Sequence, residues 1–178
     1  MIEYVHTYRG IVYRAHNPRW AYAPGSGEGA ARHGGRFNPM GTQALYTSER
    51  FETAWLEAQQ GFPYKTQPLT LCAYEVHCHN LLDLTRHDVL NALAIRPDDL
   101  ACPWEWLMLQ NQHPPTWQLA QRLIDAEVAG VRVPSFAINA GPRDINLVFW
   151  RWSDTLPHQV RVIDDERRLP VDQSSWPT

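Results

Sequence analysis

The spacing of hydrophobic and polar positions changes along the chain, and the changes predict its elements. Gly10-Ile11-Val12-Tyr13-Arg14-Ala15 is dominated by β-branched and aromatic residues, which predicts a short strand with Arg14 near its end. Residues 24–35 carry five glycines in twelve positions, a density that breaks regular structure and predicts a loop. Ala44-Leu45-Tyr46-Thr47 then reads as a second strand. Ser48 is the expected N-cap of a helix whose first turn carries Glu49 and Glu52, both favourable at the positive end of the helix dipole. Phe51, Ala54, Trp55 and Ala58 follow at i, i+3, i+4 and i+7 and are expected to form its buried face.

Further along, residues 70–77 predict a strand and 117–129 a helix ending at Gly130, with 130–134 leading into another strand region. Residues 145–152 and 159–163 predict two more strands. Strands thus interleave with two or three helices, and the last strands lie too close together for helical crossovers. The expected class is α+β, a single domain with a mixed or mostly antiparallel sheet and flanking helices.

Composition narrows the function. The 178 residues suit one domain, and 44% hydrophobic with 11% aromatic content excludes a disordered chain. The formal charge of −3 and the absence of a Lys/Arg run give no general attraction to a phosphate backbone, so direct nucleic-acid binding is not expected. No apolar run approaches the roughly 20 residues of a membrane-spanning helix, and Met1-Ile2-Glu3-Tyr4 does not resemble the start of an export signal. Cys72, Cys78 and Cys102 cannot all pair with one another, which fits a reducing, cytoplasmic setting. Among the sixteen basic residues only Lys65 is a lysine, so the cations are forked guanidiniums suited to phosphate and carboxylate.

The densest chemistry lies in Ala31-Arg32-His33-Gly34-Gly35-Arg36-Phe37-Asn38-Pro39-Met40-Gly41, with Tyr46 ten residues after Arg36 and Glu57 eleven after that. Glycines allow close backbone approach to a ligand, and Arg36, with Arg32 as a second candidate, can neutralise a pyrophosphate. The segment is neither a P-loop nor a Rossmann fingerprint, which removes weight from kinase and dehydrogenase readings. Taken alone, Gly34-Gly35 is equally a tight hairpin turn, Glu57 a surface glutamate, Tyr46 a core aromatic and Ser135 a strand-entry residue. Three other functions stay in view. Cys72, His77, Cys78 and His79 could ligate a metal, but they lack a second matched pair, and no metal is expected. A Cys-His hydrolase would need a nucleophile motif that none of the cysteines shows. The tryptophan-rich stretch 103–117 could be a partner-binding surface of a non-enzymatic module.

Tyr13-Arg14, Gly34-Gly35-Arg36-Phe37-Asn38, Gly41, Leu45-Tyr46, Ala54 with Glu57, and Val133-Pro134-Ser135 resemble the RES domain, a family named for its Arg, Glu and Ser positions. The resemblance runs from about Gly10 to Leu169 and includes Asn146-Leu147-Val148. It departs from the family pattern at Ala15-His16, where larger polar or aromatic residues are frequent, and at Phe37, where tryptophan is common. The domain is accordingly expected over residues 1–169, with 170–178 as a loose tail. The resemblance implies an ADP-ribosyltransferase-like fold that takes NAD as substrate, and the role of toxin in a toxin-antitoxin pair. Its partner would be a DNA-binding, Xre-like antitoxin. It also implies that Arg14 and Arg36 bind the phosphates and nicotinamide ribose, Tyr46 packs on the nicotinamide, and Ser135 hydrogen-bonds the nicotinamide end. Glu57 is implied as the catalytic carboxylate. Chemistry agrees with that last role, because breaking a nicotinamide-ribose bond builds positive charge on the sugar that a nearby carboxylate stabilises. The acceptor of the ADP-ribose, whether water, phosphate or a protein, depends on cleft geometry that spacing does not reveal.

Overall fold

The computed structural model describes residues 2–60 and 67–176; Lys65 lies outside them. Among the described residues there are six strands, β1 (Val5–His16), β2 (Leu45–Ser48), β3 (Thr70–Asp83), β4 (Gly130–Pro134), β5 (Ile145–Phe149) and β6 (His158–Val162). Six α-helices accompany them, α1 (Glu28–His33), α2 (Phe51–Ala58), α3 (His87–Ala92), α4 (Pro97–Leu100), α5 (Trp104–Leu109) and α6 (Pro115–Asp125).

Strand pairing runs in a circuit, since β1 pairs with β2, β2 with β5, β5 with β4, β4 with β3, and β3 back to β1. β6 joins β3 on the edge away from β1. The 14-residue β3 serves both partners on that edge by dividing at Asn80, whose φ is 59°. Residues 74–78 pair with β6 and 81–83 with β4. Only β3 with β4 is parallel, and that is the junction whose connection is long enough to return the chain, carrying α3 to α6. The fold is therefore α+β with a mixed, mainly antiparallel sheet.

Two apolar layers follow from the alternation of side chains. One lies among the strands and gathers Val12, Leu45, Tyr74, Leu81, Leu147 and Phe149. The other lies between the sheet and α3, α4 and α6, where Val131, Val133 and Val148 meet Val89, Leu100, Ala120 and Leu123.

Several local expectations differ from the structure. The predicted glycine-rich loop contains α1, a helix that places Glu28 in its first turn and Arg32 and His33 in its last, as the dipole favours. Ser48 is not a helix cap. It is the last residue of β2, its hydroxyl turns to Asn146, and Arg50 takes the cap position without a side-chain bond. Nor does α2 bury Phe51 and Trp55, which are 52% and 41% exposed; Thr53 and Ala54 are its buried residues. Thr53 accounts for part of this orientation, because its hydroxyl donates to Asp144 at 2.5 Å and fixes the helix's rotation. Helices α3 to α5 were not predicted, for each is six residues or fewer and too short to display a period. Proline at the first position starts both α4 and α6.

Candidate active site

The glycine-rich segment folds as a tight turn braced from outside. Gly34 ends α1 with φ of 72°, a region open to glycine at little cost. Gly35 and Asn38 then bond reciprocally, N–H to carbonyl at 2.9 and 3.3 Å, and carry Arg36 and Phe37 at the tip. Beneath the turn, the Tyr46 hydroxyl accepts the Phe37 N–H at 2.9 Å and donates to Asn38 Oδ1 at 2.7 Å. A Cβ on Gly35 would stand 2.5 Å from that hydroxyl, so glycine is required there for space. Indole N–H groups complete the bracing: Trp117 donates to the Gly35 carbonyl, Trp150 to that of Phe37 and Trp152 to that of Gly25. The tight-turn reading of Gly34-Gly35 and its place at a binding cleft are thus compatible.

The two arginines reach the same cleft by different routes. Arg36 donates through Nη1 to the carbonyls of Leu100 and Cys102, at 3.2 and 2.5 Å, and its guanidinium lies 4.6 Å from the centre of the Phe136 ring. Burial lowers its pKa, but guanidinium remains a cation at any relevant pH. Arg14, near the end of β1, donates through Nη1 to the carbonyls of Pro24 and Ser26, each at 3.0 Å. It therefore clamps the glycine-rich segment as well as lining the cleft. Arg32 is exposed in the last turn of α1 and is not among the lining residues.

Alternation along adjacent strands builds the cleft floor. Tyr46 stands opposite Val148, and Ser48 opposite Asn146. The last turn of α2 sets Glu57 over this floor, where Oε1 accepts from Ser135 Oγ at 2.6 Å and from Asn146 Nδ2 at 2.5 Å. Ser135 follows directly after β4 and accepts the Ala137 N–H at 3.2 Å. Asn146 Oδ1 accepts from Ser48 Oγ at 2.7 Å, and Gln60 Nε2 bonds the other oxygen of Glu57. Tyr46, half-buried under the turn, has its phenol pKa raised by desolvation and stays neutral.

The cleft encloses about 520 Å³, and Arg14, Arg36, Tyr46 and Glu57 all line it. That volume is within the range of small-molecule sites. Ser135, which completes the expected set, reaches it through Glu57. Trp104 and Glu105 of α5 form part of the wall, which makes one end of the tryptophan-rich stretch groove lining, while Trp106 is exposed. Sequence reasoning missed Asn146 and Ser48 as partners of Glu57, and Phe136 as the platform beneath Arg36. A polar residue at an inward position of a central strand was the available signal for Asn146.

The competing chemistries find less support. His77 and His79 stack outside at 5.2 Å between ring centres, whereas Cys72 and Cys78 are buried. Among the described residues, no three His, Cys, Asp or Glu side chains are grouped to hold a metal ion. Cys78 Sγ does lie 3.7 Å from His158 Nδ1, but burial pushes its thiol up to about 12, the reverse of what a nucleophile needs. Among the described residues, no helix is long and apolar enough to cross a membrane.

Among curated proteins, no sequence matches the chain. The family model of the RES domain matches residues 11–172, a span that contains Arg14, Arg36, Tyr46, Glu57 and Ser135. A match over nearly the whole chain makes this protein a member of the RES domain family, a toxin-antitoxin family associated with NAD processing.

Proposed function

We propose that this protein is a toxin that degrades NAD by cleaving the nicotinamide-ribose bond. The observation that carries the reading is the Glu57 carboxylate, held at Oε1 by Ser135 and Asn146 in the same cleft as the Arg36 guanidinium. The bond from nicotinamide nitrogen to ribose C1′ breaks, and its electron pair leaves with nicotinamide. Glu57 stabilises the positive charge left on the sugar and accepts a ribose hydroxyl through its second oxygen, displacing Gln60. An acceptor oxygen then adds to C1′ and releases its proton to solvent. Arg36 and Arg14 hold the negative pyrophosphate, Tyr46 supports the nicotinamide side of the cleft, and Ser135 keeps Glu57 in place. NAD is the substrate, and no metal takes part.

The neutralising partner is a DNA-binding, Xre-like antitoxin that covers this cleft, and contact with DNA belongs to that partner. The protein acts in the cytoplasm, in keeping with its three unpaired cysteines.

The test is nicotinamide release from NAD by purified protein, with and without inorganic phosphate, beside Glu57→Ala. Loss of Glu57 should lower turnover by on the order of 10²-fold or more while the fold persists. Phosphate-dependent release identifies a phosphorylase, and phosphate-independent release a glycohydrolase. ADP-ribose carried on a protein identifies a transferase. A parent protein that leaves NAD intact under all conditions, or a mutant as active as the parent, overturns the reading.

A further inference from the structure

The hydrogen bonds that converge on Glu57 all point the same way. Ser48 Oγ is 2.7 Å from Asn146 Oδ1, Asn146 Nδ2 is 2.5 Å from Glu57 Oε1, and Ser135 Oγ is 2.6 Å from the same oxygen. A carboxylate oxygen only accepts, so the group of Asn146 that faces it must be the NH₂. The amide oxygen then faces Ser48, whose hydroxyl donates to it. Were the amide reversed, its oxygen would oppose a carboxylate oxygen with no proton between them. The Glu57 carboxylate thus sets the orientation of Asn146, and Ser48, 2% exposed, holds it by donating to the amide oxygen.

Backbone register supplies the rigidity. Ser48, Asn146 and Val133 lie in one row across β2, β5 and β4, with Asn146 on the middle strand and paired on both sides. A side chain seated there is held by two ladders, whereas Glu57 sits on the last turn of a short helix. Two donors occupy Oε1, which leaves Oε2, bonded to the exposed Gln60, as the oxygen that can turn to a ligand. A neutral amide also fixes the carboxylate without cancelling its charge, as a lysine or arginine at this position would.

We propose that Asn146, held in turn by Ser48, is a positioning residue that fixes Glu57 through Oε1 and leaves its second oxygen to turn into the cleft. This rests on the reading of Glu57 as the carboxylate that stabilises the sugar cation.

The test is Asn146→Asp, which keeps the shape but sets a second carboxylate against Glu57, with Ser48→Ala as the milder variant. The Glu57 carboxyl is titrated by NMR with carboxyl-labelled glutamate, and kcat and KM for NAD are measured against pH. In Asn146→Asp the pair should titrate with at least one apparent pKa raised by about one unit or more, and the acid limb of kcat/KM should move up with it. In Ser48→Ala, kcat should fall on the order of 10-fold while KM changes little. A Glu57 titration in Asn146→Asp that superimposes on the parent's overturns the proposal, as does a Ser48→Ala enzyme with unchanged kcat. If the parent consumes no NAD, the functional reading fails by itself, and the titration still decides whether Asn146 governs Glu57.

Discussion

Trp117, at the start of α6, donates its indole N–H to the carbonyl of Gly35 at 2.7 Å, joining two positions 82 residues apart. The bond is buried, so the carbonyl has no ready replacement from water. Trp117→Phe keeps a six-membered ring but removes the donor together with the pyrrole part of the buried indole. It should cost about 1–3 kcal/mol in urea unfolding, the range for leaving a buried acceptor unsatisfied. Because the lost bond braces the turn that carries Arg36, KM for NAD should rise. Unchanged stability would show that the indole N–H does not brace the turn.

Gly35 tests the same turn from below. A methyl group there would meet Tyr46 Oη at 2.5 Å and Asn38 Oδ1 at 2.6 Å. Gly35→Ala should therefore destabilise by about 1–3 kcal/mol through overpacking. Adding Tyr46→Phe removes one of the opposing atoms, although the ring carbon beneath it, at 2.9 Å, remains. The two substitutions should then cost less together than the sum of each alone, measured as a double-mutant cycle of unfolding free energies. Strict additivity would mean that the turn yields elsewhere and that Tyr46 does not set its shape.

These contacts show what was legible in the sequence. Arg36 stood out within its glycine-rich loop, while Tyr46 and Glu57 were expected at the cleft only through the resemblance to the RES domain; all three line it, and the expected strands exist because runs of β-branched and aromatic residues declare themselves over a few positions. Ser48 was misread because a serine ahead of an acidic first turn is the usual sign of a cap, and what overrode it was Asn146, 98 residues away. Phe51 and Trp55 have helical spacing, but the rotation of α2 is set from outside, in part by Asp144. The role of Asn146 depends on the register of β2 against β5, which no local window contains. Helices α3 to α5 lie below the length at which periodicity is visible, whereas the 11-residue α6 between the same strands shows it.

His16, the last residue of β1, gives the protein an acid-side instability. Both ring nitrogens are buried and find no hydrogen-bond partner among the described residues. Burial first, and the nearby Arg14 cation second, depress its pKa to about 4. The unfolded chain takes up a proton near 6.5, whereas the folded one resists until about 4. The unfolded state thus binds more protons in that window, and stability falls as pH drops from about 6.5 toward about 4. His16→Phe should flatten the pH dependence of the thermal midpoint across this window and leave the protein at least as stable at pH 8. A variant whose midpoint falls as steeply as the parent's would place the acid sensitivity in another group.

Arg14 separates two roles that its position combines. The family resemblance implies a phosphate ligand, yet its Nη1 already bridges the carbonyls of Pro24 and Ser26. Tyr74 donates to the same Pro24 carbonyl at 2.7 Å, so Arg14 belongs to a clamp on the segment leading into α1. Arg14→Lys preserves the charge but replaces a planar fork with a single ammonium on a flexible stem. If charge toward phosphate were its whole contribution, the lysine variant would keep its stability and most of its activity. The clamp instead requires a loss of about 1–2 kcal/mol on unfolding, together with a rise in KM for NAD that exceeds any fall in kcat. Chemical denaturation and steady-state kinetics on the same preparation read both quantities. Parent-like stability in Arg14→Lys would exclude the clamp and leave phosphate binding as the role of Arg14.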